Sequence, residues 1–215
     1  MTAMSQQSAL DRHCRALADC RLCGHADAVV PIVSKATAPT IMLVGQAPGQ
    51  VEAAGGQPFA GRAGKTLFRW LERAGVDADT ARRRIYIAAV TRCYPGPSVS
   101  GRGDRVPSLS EQASCAVWLN AELRLIQPQL LIPVGRLAIA RFLPNVPLDA
   151  LIGRAHDVMH VGGRSYAIPL PHPSGASSWV HQGNHGRLLD SALELLGERL
   201  RECGIGERRM TRNVA

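Results

Sequence analysis

The chain has 215 residues, of which 46% are hydrophobic and 20% charged, the proportions of a globular protein with one sizeable core. No apolar run approaches the roughly 20 residues that span a bilayer, and the polar N-terminal segment lacks the apolar core of a signal peptide. We therefore expect a cytoplasmic protein with no membrane association. The net charge of +8 is mostly arginine. The guanidinium group of arginine can donate two hydrogen bonds to phosphate oxygens, which favours a nucleic-acid partner. A basic surface that is merely solvated would give the same charge.

Apolar runs predict strands that alternate with helices. After a short helical stretch within residues 1–39, buried strands are predicted at 40–45, 84–90 and 129–134, and a hairpin at 157–161 and 165–170. Helices are predicted at 64–74, 108–127, 136–142 and about 184–202. This order predicts a three-layer α/β/α sandwich with a mostly parallel central four-stranded sheet. We expect one domain over residues 1–203 and a disordered basic tail over 204–215.

Two distinctive loops follow predicted strands. GQAPGQ comes after the first strand and PHPSGAS after the last, and ligands of such sheets bind outside the carboxyl ends of the strands. Gly64-Lys65-Thr66 hints at a phosphate-binding P-loop, but Phe59 stands where that motif needs its first glycine. The P-loop interpretation therefore fails.

Six cysteines in a chain with no export signal favour a metal site or reactive thiols over disulfides. Cys20 and Cys23 form a CxxC pair that points two thiolates at one centre, and Cys93 and Cys115 could reach the same surface. Four cysteines suit either a [4Fe–4S] cluster or tetrahedral zinc, and their spacing does not separate the two. Cys93 and Cys115 could also be ordinary buried thiols.

Taken in order, several segments resemble one known family. CRLC, VGQAPG, GQPFAGRAG, YIAAVTRC, VGRLA and HPSGAS, within about residues 20–190, are similar to motifs of the uracil-DNA glycosylase superfamily, and most similar to its iron–sulfur-containing families 4 and 5. The resemblance implies a monofunctional glycosylase of base excision repair, a hydrolase that cuts uracil from DNA. It also implies that a largely structural [4Fe–4S] cluster is held by Cys20, Cys23, Cys93 and Cys115. We expect a monomer whose partner is DNA that contains uracil or another deaminated base.

The resemblance assigns roles to residues of the two loops and the segment between them. His172 corresponds to the histidine that hydrogen-bonds the base O2, and Phe59 to the aromatic ring on which the flipped base stacks. Ser174 is expected near a phosphate, with Gly175 allowing close backbone approach. The expected base-contacting loop consists of Gly45, Gln46, Ala47, Pro48 and Gly49.

Two positions depart from the family pattern. Relatives carry a water-activating Glu or Asp where this chain has Gln46 and Ala47, neither of which can take a proton. Gln46 could still orient a water, and Glu52 or Asp104 could serve as base, or no base could be needed. Ala89 replaces an Asn that pairs with the uracil edge, so we expect weaker base discrimination and activity on hypoxanthine or xanthine.

The loop at 94–107 also bears on function. A branch of the superfamily bonds a histidine of this loop to the abasic sugar, but the loop here has no His, and no covalent adduct is expected. Arg102 and Arg105 are expected to meet phosphates, and Trp179 could wedge into the duplex. Two alternatives remain: a catalytically weak sensor of damaged or abasic DNA, and an iron–sulfur electron-transfer module.

Overall fold

A computed structural model describes residues 2–23, 29–100, 103–174 and 179–206. The helices are α1 (Ala3–Ala18), α2 (Gln50–Gly55), α3 (Arg62–Arg73), α4 (Ala78–Arg84), α5 (Leu109–Ile126), α6 (Arg136–Ile139) and α7 (His185–Glu202). The strands are β1 (Ile41–Gly45), β2 (Ile85–Ala89), β3 (Leu130–Pro133), β4 (His156–His160) and β5 (Gly163–Ala167). Short 3₁₀ turns lie at Leu148–Ala150 and Trp179–His181. Strands thus alternate with helices as the sequence predicts.

One sheet of five strands has the order β2-β1-β3-β5-β4. β2, β1, β3 and β5 are parallel, and β4 is antiparallel to β5. The predicted number of four strands is therefore wrong by one. The first arm of the hairpin is a full member of the sheet, because it pairs along β5 from His156 opposite Ala167 to His160 opposite Gly163.

Helices cover both faces of the central strands, which gives the predicted three layers. Ile41, Met42, Leu43 and Val44 of β1 are each 0% exposed, so both faces of the strand are shielded from water. α1 and α5 pack together on the face where Tyr86 of β2 hydrogen-bonds α5. On the other side of the core α3 contacts α4 and α7. A sheet buried on both faces needs strands that are apolar throughout, and the residues of β1 and β3 are all apolar.

The sequence predicted two boundaries, the start of α5 and the C-terminal end of the domain. The predicted capping box of α5 is present: the Ser108 hydroxyl accepts from the Glu111 N–H at 3.2 Å, and Glu111 accepts from the Ser108 N–H at 2.7 Å. At the C-terminus the packed chain passes the predicted boundary at residue 203, because Ile205 is 2% exposed and its N–H donates to Leu200. Residues 207–215 lie outside the described part of the chain.

Candidate active site

The carboxyl ends of the parallel strands form a cleft with a volume of about 720 Å³. Gly45 and Ala89 are register partners at the ends of β1 and β2, so the loops that leave these strands begin side by side. His172 comes two residues after Leu170, which bridges to Val134 beyond β3. Nine predicted site residues line the cleft: Gly45, Gln46, Ala47, Pro48, Gly49, Phe59, Ala89, His172 and Ser174. The tenth, Gly175, lies outside the described residues, as does Arg102.

Phe59 lies against the end of β1 in an unusual backbone conformation. Its φ is +51°, a left-handed value that non-glycine residues seldom adopt. Its ring contacts Gly45, where an added Cβ would lie 3.0 Å from Cζ. A Cβ on Gly64 would lie 1.8 Å from the Phe59 carbonyl oxygen, so the first turn of α3 needs glycine there. The glycines of GQPFAGRAG and VGQAPG therefore let the backbone bring this ring to the cleft.

Arg82 of α4 holds the Phe59 turn from behind. Its two terminal nitrogens donate to the carbonyl oxygens of Pro58 at 2.8 Å and Phe59 at 3.1 Å. The same guanidinium lies 4.2 Å from the ring centre of Phe68, a cation–π contact. Sequence reasoning missed this residue because α4 was not predicted, and nothing local marks Arg82 apart from its neighbours Arg83 and Arg84.

His172 is oriented by its own loop. Its Nδ1 accepts from the Ser174 backbone N–H at 3.3 Å and lies 2.9 Å from the Ser174 hydroxyl. Since Nδ1 is an acceptor, the neutral ring carries its proton on Nε2. Burial lowers the pKa of His172, and the negative charge of Asp104 opposes that shift in part. The ring is therefore neutral near pH 7, with an N–H on Nε2 to offer to a ligand.

A glycine also makes room for this histidine. Gly135 has φ +84°, and a Cβ there would lie 2.9 Å from Cδ2 of His172. Its N–H donates to the Leu170 carbonyl at 2.9 Å, which fixes the start of the histidine loop. The VGRLA segment is thus a packing partner of the HPSGAS loop. Ser174 is engaged with His172 and is placed to orient it.

Two carboxylates line the cleft among the described residues, Glu52 and Asp104. Glu52 is 8% exposed, and its two oxygens accept from the N–H groups of Gly49 at 3.1 Å and Gly61 at 2.9 Å. It therefore ties the GQAPG loop to the start of α3. Asp104 is exposed, and its Oδ2 would lie 3.0 Å from a Cβ placed on Gly49.

The four predicted cysteine ligands line one small pocket beside α1 and α5, together with Arg92. No group of three or more His, Cys, Asp or Glu side chains within the described ranges has metal-holding geometry as it stands. Burial, the largest cause, together with the neighbouring cysteines raises the pKa of Cys93 to about 12 and that of Cys115 to about 11. Trp118 Nε1 donates to Cys20 Sγ at 3.0 Å.

Arg92 separates this pocket from the cleft and lines both. It is 1% exposed and pairs with Glu122, which is 0% exposed and also accepts from the Tyr86 hydroxyl at 2.7 Å. The Nε and Nη1 atoms of Arg92 are buried without a hydrogen-bond partner in the described structure. Leaving such groups unpaired is costly. Four cysteine thiolates around a metal centre carry a net negative charge, which suits a pocket lined by the guanidinium of Arg92.

Two surface residues singled out by the sequence have partners within the protein. Arg105 forms a two-point ion pair with Glu111, at 2.7 and 2.6 Å, and its contact with phosphate stays a prediction. Trp179 packs on the core and stacks on His185 with ring centres 4.1 Å apart, so its ring supports the start of α7, and its insertion into the duplex stays a prediction. Sequence reasoning also missed the buried ion pair between Arg92 and Glu122. Its signal in the sequence is a charged residue, Glu122, on the buried face of α5.

The sequence pattern of the uracil-DNA glycosylase superfamily matches residues 32–197, most of the chain, and the protein belongs to that superfamily. A type-4 uracil-DNA glycosylase of Thermotoga maritima is 32% identical over 134 residues, 62% of this chain and 64% of that protein. One of Sulfurisphaera tokodaii is 26% identical over 182 residues, 80% and 73% of the two chains. A type-5 enzyme of Mycobacterium bovis is 37% identical over 103 residues, 43% and 36%.

The match to the Thermotoga protein thus spans less than two thirds of that relative's length. Within the described part of the chain, every helix is too short or too polar to cross a bilayer.

Proposed function

We propose that this protein is a monofunctional DNA glycosylase that hydrolyses the N-glycosidic bond of uracil in DNA, as a step of base excision repair. The observation that carries the proposal is the joint placement of Phe59, the Gly45–Gly49 loop and His172 around one cleft. The fold, the superfamily and the names of the type-4 and type-5 relatives support it. We expect it to act as a cytoplasmic monomer.

The cleft offers each function that base excision requires. A flipped base stacks on Phe59, whose ring lies against Gly45. As the C1′–N bond breaks, the electron pair leaves with the base, and the His172 Nε2–H donates to the negative charge that develops on it. A fixed donor that stabilises such a charge usually contributes more to the rate than any other group in the site. The neutral ring suits this role, because with Nδ1 accepting from Ser174 it carries its single N–H on Nε2 and can donate it to the leaving base.

The substrate range proposed here includes deaminated purines. Ala89 stands at the cleft wall and presents a methyl group in place of a base-reading amide. The whole cleft has a volume of about 720 Å³, a size that accommodates ligands larger than one pyrimidine ring. Hypoxanthine and xanthine are therefore proposed as further substrates, read less selectively than a wall with a paired donor and acceptor would allow.

The test uses oligonucleotides that contain one uracil, hypoxanthine or xanthine, with alkaline cleavage of the abasic product. We expect strand breaks with all three bases and more with uracil. No product at enzyme excess, together with retained binding to abasic DNA, would replace the proposal with a damaged-DNA sensor. Cleavage without alkali would contradict the monofunctional assignment.

We infer further that Cys20, Cys23, Cys93 and Cys115 hold a [4Fe–4S] cluster. All four line one pocket, and the two unpaired N–H groups of Arg92 beside it favour an anionic centre. When bound, the cluster supplies a covalent tie between the segments at Cys20–Cys23, Cys93 and α5. Thiols with raised pKa values release protons on binding, so assembly is expected to be favoured by higher pH.

Iron content and colour test this inference. Protein made anaerobically should be brown, with broad absorbance at about 400 nm. Cys93→Ser should lose the colour, while Cys203→Ser, a control at a cysteine outside the pocket, should keep it. A colourless, zinc-loaded protein would contradict the iron–sulfur assignment and leave the glycosylase proposal standing.

A further inference from the structure

The GQAPG loop at the end of β1 carries no acidic side chain, since Gln46 and Ala47 are neutral and the other three residues are Gly and Pro. Water that attacks C1′ must still lose a proton. Among the described residues that line the cleft, the groups able to accept one at neutral pH are Glu52, Asp104 and His172. His172 is engaged at Nδ1 and protonated at Nε2, so it is a donor in this reaction.

Glu52 is held for a structural role. Each of its oxygens accepts a backbone N–H, one from Gly49 and one from Gly61, and the residue is 8% exposed. Using it as a base would weaken both bonds and release the loop that contacts the substrate. Glu52 is thus a positioning residue for the GQAPG loop.

Asp104 has the opposite environment. It is exposed to solvent on the cleft side, and its Oδ2 lies close to Gly49. Burial lowers the pKa of His172, and the nearby charge of Asp104, which lines the same cleft, opposes that shift. Together with desolvation, it also raises the pKa of Tyr94, whose hydroxyl lies beside it.

The backbone around Asp104 is fixed from both sides. Asp104 pairs with Pro97 in an antiparallel bridge, and the Ser98 N–H donates to the Gly103 carbonyl at 2.9 Å. The Arg105 N–H donates to the Gly96 carbonyl at 3.0 Å, and the Arg105 side chain is clamped by Glu111. A carboxylate on backbone that is anchored at residues 96–98 and 103–105 can hold a water in a defined place.

We propose that Asp104 is the catalytic base that takes the proton of the attacking water. The C1′–N bond breaks and its electron pair leaves with the base. The water oxygen then forms the new bond to C1′, and its proton passes to the Asp104 carboxylate. That proton is returned to the departed base anion through solvent, so atoms and charges balance. This assignment rests on the proposed glycosylase function.

Single-turnover excision of uracil by Asp104→Ala, with and without added formate, tests the proposal. We expect the rate to fall about 100-fold, at the lower end of general-base effects because bond cleavage precedes water attack. Formate should restore part of the loss in proportion to its concentration, since it can occupy the space of the carboxylate. Affinity of the variant for abasic DNA should stay within about twofold of wild type, because binding does not use the Asp104 carboxylate.

Two control variants make the result specific. Asp157→Ala removes an exposed aspartate of β4, which pairs with Arg164 of β5, and the variant should behave as wild type. Glu52→Gln should lose activity together with thermal stability and gain nothing from formate. An Asp104→Ala variant as fast as wild type, or slow but not rescued by formate, would overturn the proposal. If wild type itself releases no uracil, it is the proposed function that fails.

Discussion

At the scale of single residues, His172 and Gln46 differ clearly in what holds them in place. His172 has a defined tautomer, set by the Ser174 N–H, whereas Gln46 is fixed mainly through its carbonyl, which accepts from the Thr91 N–H at 3.2 Å. A substitution that removes only the Gln46 side chain leaves that backbone bond in place. The chemistry of the leaving base should therefore depend far more on His172.

We expect His172→Ala to reduce single-turnover uracil excision by about 100–1,000-fold, the usual cost of removing one fixed donor to a developing anion. Gln46→Ala should cost about tenfold or less. His156→Gln, on the edge strand β4, is the matched histidine control and should retain wild-type rates. The reverse order of the first two effects would contradict a mechanism led by stabilisation of the departing base.

Arg82 should act on excision through Phe59. Loss of two charged hydrogen bonds frees a left-handed turn that few residues adopt, so the Arg82→Met variant should lose about tenfold in kcat/KM. In a double-mutant cycle with Phe59→Leu the two effects should be strongly non-additive. Arg83→Met, one position along α4, is the control and should change neither rate. Additive losses would mean that Arg82 contributes to stability alone.

At the scale of elements, the start of α5 carries an ion pair that makes stability depend on pH. The hydrogen bonds of Arg105, the largest cause, hold the pKa of Glu111 at about 2, below its ordinary 4.5. A carboxyl whose pKa is lowered in the folded state contributes stability above its unfolded pKa, and this contribution is lost as pH falls. The relevant window is therefore from about 4.5 down to about 2.

Urea unfolding of wild type and Glu111→Gln should show this window. At pH 7 the variant should be less stable by about 1.5–3 kcal/mol, since a charged hydrogen-bond network and the helix cap are both weakened. The difference should shrink as the pH is lowered through 4 towards 2. Glu202→Gln removes an exposed i,i+3 partner of Arg199 and should show a small, nearly pH-independent difference. A constant difference for Glu111→Gln would refute the assigned ion pair.

At the scale of the whole molecule, the features that the sequence revealed were those with local causes. Apolar runs located β1, β2 and β3, and Ser108 with Glu111 located the start of α5, because strand burial and helix capping depend on near neighbours. The order of the motifs predicted nine residues that the fold brings to one cleft.

The features that the sequence did not reveal depend on contacts between distant segments. Arg82 reaches Phe59 only once α4 is placed, and Arg92 reaches Glu122 only once α5 packs on the sheet. The pairing of β4 as a fifth strand depends on its register with β5. A single sequence does not show which distant residues contact each other. For the same reason the sequence left both Glu52 and Asp104 as candidates for the catalytic base.

The short path from Ala89 to Cys93 has a consequence for damage to the protein itself. Three residues separate the proposed base-reading position from a proposed cluster ligand, a span of at most about 14 Å of chain. Within it, the N–H groups of Val90 and Thr91 hold the carbonyls of Gly45 and Gln46. Loss of a cluster held at Cys93 would therefore reach the GQAPG loop directly, because the intervening backbone carries both of these hydrogen bonds.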